Sequence, residues 1–418
     1  MAEASQRVVR RRRVFYIPGY DPMHARRYRE LYRKEGAAQA AVSGYELALQ
    51  PRRGGGPYGW RVTARMDGDP VEAEVEVLTW QDIVRDSMEG SIPATYWQLL
   101  RTAWTYIASG TLRRLMWLRT GPVLAALYPV AVLLAQLLAA LLVGFLAGAL
   151  AVWGARSLLG LLGWSLPLPW LLRLAVALPL AWWALRWFKR RDNRLYAYYL
   201  MHDYAFSAAW GGANPPALEA RMARMGAQVA AALQEADVDE VLVVGHSSGA
   251  HLGVSILADL IRARKVPRKG PALAFLSLGQ VIPMVSFLPE AHRLRADLAL
   301  LAATDRLAWV DVTALGDGCA FALCDPVAVS GVQPPGARWP LVISARFSQT
   351  LAPETWRRLR RQYFRLHFQY LCAFERPGDY DYFRITAGPM TLAERYADRA
   401  PSKSRIDVPA SKYTSMAA

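Results

Sequence analysis

The amino-acid sequence predicts a mixed α/β protein, with a mostly parallel sheet covered by helices on both faces and an inserted two-helix transmembrane hairpin. Three observations lead to this prediction. Strand-like and helix-like segments alternate along the chain, which is typical of parallel sheets. Residues 120–155 contain no charged side chain, which interrupts that alternation. The segment VLVVG at 241–245 is apolar enough for a strand that is buried on both faces.

The segments before the apolar run are mostly strands, because apolar and polar residues alternate in them. Strand patterns occupy, in order, 13–21, 45–50, 58–68 and 71–80. A Pro-Gly turn ends the first of these strands, and a helical pattern over 96–118 leads into the apolar run.

After the apolar run, helices and strands alternate regularly. Helical patterns cover 217–236, 248–264, 289–303 and 355–371, and strand patterns cover 239–245, 271–279, 306–312 and 340–347. This order implies parallel strands, whose carboxyl ends are the usual place for functional groups. The segment 378–388, rich in Asp and Tyr, is predicted as a turn and an edge strand.

Two apolar segments are long enough to cross a bilayer, which takes about 20 residues. Residues 120–155 predict one span, and residues 167–188 a second, although Arg173 and Pro179 weaken it; an interfacial helix is the alternative there. Tryptophans flank the second segment at both ends, as in an aromatic belt. Gly144 and Gly148 have the spacing of a close helix contact.

Basic residues flank the hairpin and are scarce in its connection. Arg113, Arg114 and Arg119 precede it, and Lys189, Arg190, Arg191 and Arg194 follow it. Because cytoplasmic flanks carry the excess of Lys and Arg, both ends of the hairpin are expected in the cytoplasm. The predicted location is a membrane, crossed more than once and most simply the bacterial inner membrane, with the globular part cytoplasmic.

The composition favours a lipid bilayer as the partner of the basic charge. The formal net charge is +16, and 15 Trp and 53% hydrophobic residues accompany it. Neither an RNA-binding signature nor zinc-finger spacing occurs, so nucleic acid is not expected as a partner. Three cysteines are too few for a disulfide framework. No signal peptide is read at the start, and Arg10–Arg13 is interpreted as a solvated patch, with lipid headgroup contact as the alternative.

These features predict four regions along the chain. Residues 1–118 form the N-terminal part of the globular domain and 119–195 the inserted hairpin. Residues 196–400 form its C-terminal part, and 401–418 a polar, disordered tail.

The strand at 239–245 runs into GHSSG, residues 245–249, and then into a helix. This is the G-x-S-x-G nucleophile elbow in the strand–turn–helix setting that the motif requires. It predicts Ser247 as a nucleophile; a plain tight turn, with Ser248 as an N-cap, is the alternative. At these residues the chain resembles the α/β-hydrolase superfamily, in particular its serine esterase and lipase branches, as a bacterial membrane-associated member.

The resemblance implies a fold and a catalytic order, in which the acid and then the base follow the nucleophile. A serine hydroxyl needs an adjacent base that is itself oriented by an acid. Of the six histidines, only His367 follows both Ser247 and a plausible acid. Asp317, just past a strand end, is the preferred acid, and Asp311 and Asp325 remain alternatives.

The resemblance also implies two backbone donors for the oxyanion, each typically worth about 3 kcal/mol. One is the N–H of Ser248, directly after the nucleophile. The other is assigned to Tyr20, which follows Pro18-Gly19 after the first strand; a plain type II turn is the alternative.

The predicted function is therefore a membrane-anchored serine hydrolase of ester or thioester bonds, with a lipid-like acyl ester as substrate and an acyl-enzyme on Ser247. A non-catalytic membrane scaffold and an acyltransferase with the same triad are the alternatives. Neither a cofactor nor a metal is expected. The sequence leaves the acyl length, the physiological substrate and the oligomeric state open.

Overall fold

The protein is a mixed α/β structure, described by a computed structural model over residues 8–52, 56–68 and 70–417. Its strands are β1 Arg11–Ile17, β2 Glu46–Pro51, β3 Gly59–Arg65, β4 Pro70–Val77, β5 Glu240–His246, β6 Ala272–Leu278, β7 Ala308–Thr313 and β8 Leu341–Ser344. Valine-rich β5 is buried along its whole length, as a strand covered on both faces requires.

The described strands form one eight-stranded sheet in the order β2-β3-β4-β1-β5-β6-β7-β8. Only β3 runs opposite to the others, because it pairs antiparallel with both β2 and β4. In the register of the central pair, Tyr16 of β1 lies opposite Val244 of β5. The carboxyl ends of β1, β5, β6 and β7 therefore lie side by side at one edge. The predicted α/β class and mostly parallel sheet are confirmed.

Helices connect the strands. They are α1 Arg26–Ser43, α2 Gln81–Met88, α3 Ile92–Ala108, α4 Thr111–Leu118, α5 Thr120–Leu161, α6 Pro169–Arg190, α7 Ala197–Ala209, α8 Pro216–Ala232, α9 Gly249–Arg262, α10 Ile282–Ser286, α11 His292–Ala303, α12 Pro326–Val329, α13 Phe347–Thr350, α14 Pro353–Leu359, α15 Tyr363–His367, α16 Tyr382–Ala387 and α17 Leu392–Arg395. Helix α1 has no counterpart among the predicted elements, since its apolar content is low and its buried side consists of only Tyr28, Tyr32, Gly36 and Gln39.

The arginine run at the start of the chain is part of the sheet. Arg12 in β1 is fully buried, and its Nε donates to Glu240 Oε2 at 2.6 Å. Its other nitrogens donate to the carbonyls of Gly388 and Met390 at 2.7 and 2.5 Å. The interpretation of this run as a solvated patch is therefore wrong for Arg12, which is buried, and for the partly buried Arg13, whereas Arg10 and Arg11 are exposed. The burial of Arg12 leaves no local pattern in the sequence, because its partners lie more than 200 residues away.

The chain divides into two compact units. One comprises the residues up to Asp86, Thr105–Val123 and the residues from Ser207, and it contains the whole sheet. The other comprises Ser87–Trp104 and Leu124–Phe206, and it holds most of α3, α5, α6 and α7. The inserted part is thus larger than the predicted hairpin at 119–195, because α3 packs with α5.

Within the helical unit, α5 and α6 are long and apolar enough to cross a membrane. Only 22% of the most apolar part of α5, and 17% of that of α6, is buried within the structure, unlike a core helix of a soluble protein. The helices approach closely at the small residues. An ideal Cβ on Gly144 would lie 2.5 Å from the Ala177 carbonyl oxygen, and one on Gly148 would lie 2.7 Å from that of Arg173. This matches the packing role predicted for the glycine pair.

Two predicted elements near the C-terminus are wrong. The single helix expected over 355–371 is broken into α14, α15 and a 3-10 turn at Gln369–Leu371. The edge strand expected over 378–388 is helix α16, whose N-cap Asp381 accepts hydrogen bonds from two backbone N–H groups. Alternating Asp and Tyr here reflect this cap and a buried aromatic cluster.

The polar tail is ordered over residues 401–417. The Ile406 N–H donates to the Leu323 carbonyl at 2.7 Å, and the Asp325 N–H donates to the Ile406 carbonyl at 2.8 Å. Ala410 is buried. These contacts contradict the predicted disorder, since backbone pairing with the folded domain holds a segment that has few apolar side chains of its own.

Candidate active site

Ser247 lies at a sharp bend between β5 and α9. Its φ is +57°, in the left-handed region that a non-glycine residue rarely adopts and that costs on the order of 1–3 kcal/mol. Its N–H donates to the Leu278 carbonyl at the end of β6 at 2.9 Å. Such strain at the carboxyl end of a central strand lifts a serine side chain away from the sheet.

The two glycines of GHSSG make this bend possible by leaving space for the backbone. An ideal Cβ on Gly249 would lie 2.1 Å from the Ile17 carbonyl oxygen of β1. One on Gly245 would lie 2.6 Å from the Gly249 carbonyl oxygen. Neither separation is possible for real atoms, so the fold requires glycine at both positions.

The loop after β1 lies against the serine. An ideal Cβ on Gly19 would be 3.0 Å from Ser247 Cβ and 3.4 Å from Ser247 Oγ. The adjacent Tyr20 is buried and stacks edge-on against Trp80 at 5.9 Å. Ser248 is the N-cap residue of α9, so its N–H lies at the positive end of the helix dipole. Gly19, which precedes Tyr20, therefore lies against Ser247, and Ser248 follows Ser247 directly in the chain.

His367 and Asp317 form a buried hydrogen-bonded pair. His367 Nδ1 lies 2.7 Å from Asp317 Oδ2, and both residues are buried. Burial alone would raise the pKa of Asp317, but His367, the Cys319 N–H and the Tyr370 hydroxyl together lower it. Since Asp317 is then a carboxylate, His367 Nδ1 is the donor, and Nε2 is the nitrogen left to act as a base.

The other two candidate acids have different partners. Asp311 lies in β7, where Oδ1 accepts from the Ser277 hydroxyl at 2.5 Å, and burial raises its pKa to about 8. Asp325 caps α12 by accepting from the N–H groups of Val327 and Ala328. Of the three, Asp317 is the one that pairs with His367.

Tyr370 belongs to the site and escaped the sequence analysis. Its hydroxyl donates to Asp317 Oδ2 at 2.9 Å and accepts from the Ala314 N–H at 3.0 Å. Gly279, at the end of β6 with φ +52°, leaves room for both rings, since an ideal Cβ there would lie 2.7 Å from Tyr370 Cε2 and 3.1 Å from His367 Cε1. In the sequence, only the three-residue spacing between His367 and Tyr370 indicates that the two side chains could lie near each other.

His246, next to Ser247 in the chain, contacts His367. Its ring centre lies 4.9 Å from that of His367, and its Nε2 lies 3.0 Å from the His367 carbonyl oxygen, to which it donates. Burial, followed by repulsion from His367, lowers the pKa of His246 to about 3. His246 is therefore neutral and structural.

The structure brings Ser247 and His367 to the same strand edge without joining them. Both lie around the end of β6, Ser247 through Leu278 and His367 through Gly279. Among the residues that the structure describes, no hydrogen bond links the Ser247 hydroxyl to His367. Bonds between catalytic groups are often long before a substrate is bound and shorten in the complex.

Cys319 adds a thiol to the same cluster. One ligand atom each from Asp317, Cys319 and His367 lie within 4.8 Å of one another, a donor set that can hold a metal ion. Here, however, Asp317 Oδ2 already accepts from His367 and Tyr370, and Oδ1 accepts from the Cys319 N–H at 2.9 Å. This use of both oxygens fits an acid that orients a histidine better than a metal ligand.

The loop that carries Asp317 lies beside the first turn of α5. An ideal Cβ on Gly121 would be 3.4 Å from Gly318 Cα, and Arg119 Nε donates to the Ala322 carbonyl at 2.9 Å. The helix that is long enough to cross a membrane therefore begins next to the candidate acid.

Comparisons of the chain with protein-family models, with curated proteins and with solved structures gave no match. The functional assignment therefore depends on the geometry of the site.

Proposed function

We propose that the chain is a membrane-anchored serine hydrolase of the α/β-hydrolase type, which cleaves ester or thioester bonds of lipid-like acyl substrates. The observation that carries the proposal is the His367–Asp317 hydrogen bond at the same sheet edge as a serine held at a left-handed bend. Strained serines and buried His–Asp pairs are each found in other contexts. Their position at the same edge of the sheet, where β5 and β7 end on either side of β6, supports nucleophilic catalysis.

In the proposed reaction, His367 Nε2 takes the proton of the Ser247 hydroxyl as Oγ attacks the carbonyl carbon of the substrate. The N–H groups of Ser248 and Tyr20 donate to the resulting oxyanion. Collapse breaks the ester or thioester bond, and His367 returns its proton to the leaving alcohol or thiol. A water molecule, deprotonated by the same nitrogen, then releases the carboxylic acid from Ser247.

Asp317 holds His367 in the required tautomer and stabilises the imidazolium that forms during each step. The contribution of Tyr370 is to keep Asp317 ionised and in place by its own donated hydrogen bond. For catalysis, the Ser247 side chain must come within hydrogen-bond distance of His367 Nε2, and substrate binding is the proposed cause of that closure.

Membrane anchoring is supported by α5 and α6, whose apolar surfaces are largely unburied. In the proposed topology both helices cross the bilayer and the globular domain lies on the cytoplasmic side, because the basic residues flank the hairpin. The first turn of α5, the longer of the two helices, lies beside the Asp317 loop, so the proposed anchor and the candidate acid are joined through one helix.

The proposal is tested by labelling membranes that contain the full chain with a fluorophosphonate probe, which reacts with activated serines. We expect labelling of the wild-type chain and of Ser248→Ala, and none of Ser247→Ala. The Ser248 variant is the matched control, since it keeps its backbone N–H and removes only the neighbouring hydroxyl. Labelling that persists in Ser247→Ala, or a wild-type chain that is not labelled, contradicts the proposal and favours a non-catalytic scaffold.

A hydrolase and an acyltransferase share the acyl-enzyme and differ in what accepts the acyl group. The two activities are distinguished with wild-type chain that reacts with the fluorophosphonate probe. It is incubated with a p-nitrophenyl acyl ester, once with glycerol as acceptor and once without. Release of the free acid in both conditions supports the hydrolase, and transfer of the acyl group to glycerol as the main product supports the transferase.

A further inference from the structure

Helix α3 is apolar around most of its circumference. Its sequence, IPATYWQLLRTAWTYIA, contains one charged side chain, Arg101. A helix that packs on one side of a soluble protein normally presents charged and polar residues on the other. The exposed side of α3 is therefore expected to be covered by an apolar partner and not by water.

One face of α3 packs inside the helical unit. Leu99 lies in a buried cluster with Leu133 of α5 and with Tyr198 and Met201 of α7. The Tyr96 hydroxyl donates to the Leu133 carbonyl at 2.9 Å. Nearer the start of α3, Ile92 packs with Ala140, Ala184 and Leu185. Helix α3 thus runs antiparallel along the 133–140 part of α5.

Another face of α3 carries large apolar side chains that are mostly exposed. Trp97, Leu100 and Trp104 are 68%, 60% and 73% exposed. Their spacing of three and four residues places them on one stripe of the helix. Three such side chains in one row form an apolar patch, in contrast to scattered surface residues.

The position of α3 along α5 identifies the partner. In the proposed topology, Arg156 lies at the outer boundary of the hydrocarbon core. A core of about 30 Å takes 20 helical residues, so its inner boundary lies near Gln136 of α5. The contacts of α3 with Leu133–Ala140 lie at that inner boundary. Lys189 at the end of α6 donates to the Gly90 carbonyl, just before α3, at 2.5 Å. Basic groups and tryptophans are enriched in the headgroup region of membranes.

We infer that α3 enters the inner leaflet alongside α5 without crossing the bilayer, with Trp97, Leu100 and Trp104 in contact with phospholipid near the boundary of headgroups and acyl chains. This inference rests on the proposed membrane anchoring through α5 and α6. It adds a third lipid-binding element, built from a segment that is too short and too closely packed to be a span.

The test uses the full chain in vesicles of phosphatidylcholine and phosphatidylglycerol that include a phospholipid with a diazirine near the acyl carbonyl. After irradiation and trypsin digestion, lipid adducts are mapped by mass spectrometry. We expect adducts on the peptides Asp86–Arg101 and Thr102–Arg113, at the three stripe residues, and none on the control peptide Glu35–Arg52 of the sheet-containing unit. A variant with Gln at positions 97, 100 and 104 should lose these adducts while those on α5 remain.

The outcomes separate this inference from the membrane proposal. Adducts on α5 without adducts on α3 overturn the inference and leave the spans in place. A chain with no adducts on either helix overturns the anchoring itself. In a parallel experiment, a photoreactive benzoylphenylalanine at position 97 that crosslinks two copies of the chain would assign the stripe to a protein interface and overturn the lipid contact.

Discussion

Tyr370 donates its hydroxyl hydrogen to the same oxygen of Asp317 that accepts from His367. The two residues lie on different segments, one after β7 and one in the 3-10 turn after α15, so only the fold brings them together. Through this bond the buried Tyr370 hydroxyl helps to fix the orientation of Asp317, the candidate acid.

Replacement of Tyr370 by Phe removes one donor from a buried carboxylate and leaves the Ala314 N–H without its acceptor. A hydrogen bond to a charged group is worth about 1.5–3 kcal/mol, so the rate of Ser247 labelling by the fluorophosphonate should fall about tenfold or more. Tyr380→Phe is the matched control, because the Tyr380 hydroxyl bonds the Tyr370 carbonyl and does not reach Asp317. Equal rates for the two variants would contradict a positioning role.

The three candidate acids are separated by amide substitutions. Asp317→Asn should slow labelling by roughly three to four orders of magnitude, since the amide favours the wrong tautomer of His367. Asp311→Asn should leave the rate close to that of the wild type, because its partner is Ser277. The reverse order of the two rates would assign the acid to β7.

Alanine substitutions at two glycines near Ser247 are expected to have different effects on stability and on the labelling rate. Gly249→Ala places a Cβ 2.1 Å from a backbone oxygen of β1, which cannot move alone, so the unfolding free energy should fall by about 3 kcal/mol. Gly19→Ala meets the Ser247 side chain at 3.0 Å, and should slow labelling with a smaller loss of stability. Thermal denaturation followed by circular dichroism, together with labelling rates, measures both. A Gly249→Ala chain as stable as the wild type would contradict the geometry of the bend.

The packing of α5 against α6 is tested with alanine at glycine pairs. Gly144→Ala with Gly148→Ala introduces methyl groups within 2.7 Å of α6 carbonyl oxygens, and should lower the thermal midpoint in detergent. Gly154→Ala with Gly160→Ala should raise it slightly or leave it unchanged. Nothing lies within 4 Å of those positions, and alanine favours a helix by about 1 kcal/mol per residue. A similar response of the two pairs would argue against the observed helix contact.

Asp311 predicts a pH dependence of stability. Burial raises its pKa in the folded protein from 3.8 to about 8, so between about pH 4 and pH 8 the folded chain holds a proton that the unfolded chain has lost. The unfolding free energy should therefore fall as the pH rises, by at most about 1.4 kcal/mol per unit, and no further above about pH 8.

Asp311→Asn removes this proton binding. As the pH is raised from 5 to 8, the thermal midpoint of that variant should rise relative to that of the wild type. The exposed Asp305→Asn variant serves as the control, and its difference from the wild type should stay constant. A constant difference for Asp311→Asn as well would show that the carboxyl is ionised in the folded protein.

Patterns within short segments of the sequence predicted much of the secondary structure and the fold class of this protein. Periodicity and apolar content predicted the mixed α/β class, the positions of the strands and the two long apolar helices, because burial on a sheet or in a helix imposes a local period on the sequence. The bend at Ser247 was readable for the same reason, since its glycines and its strand lie within a dozen residues.

Relations between distant segments were decided by the tertiary structure. It selected Asp317 over Asp311 and Asp325 as the partner of His367, added Tyr370, buried Arg12 against Glu240 and ordered the tail. Each of these depends on hydrogen bonds or charges between groups far apart in the chain. Such pairings leave no period in the sequence, and the free energy that favours them exists only once the sheet has brought the partners together.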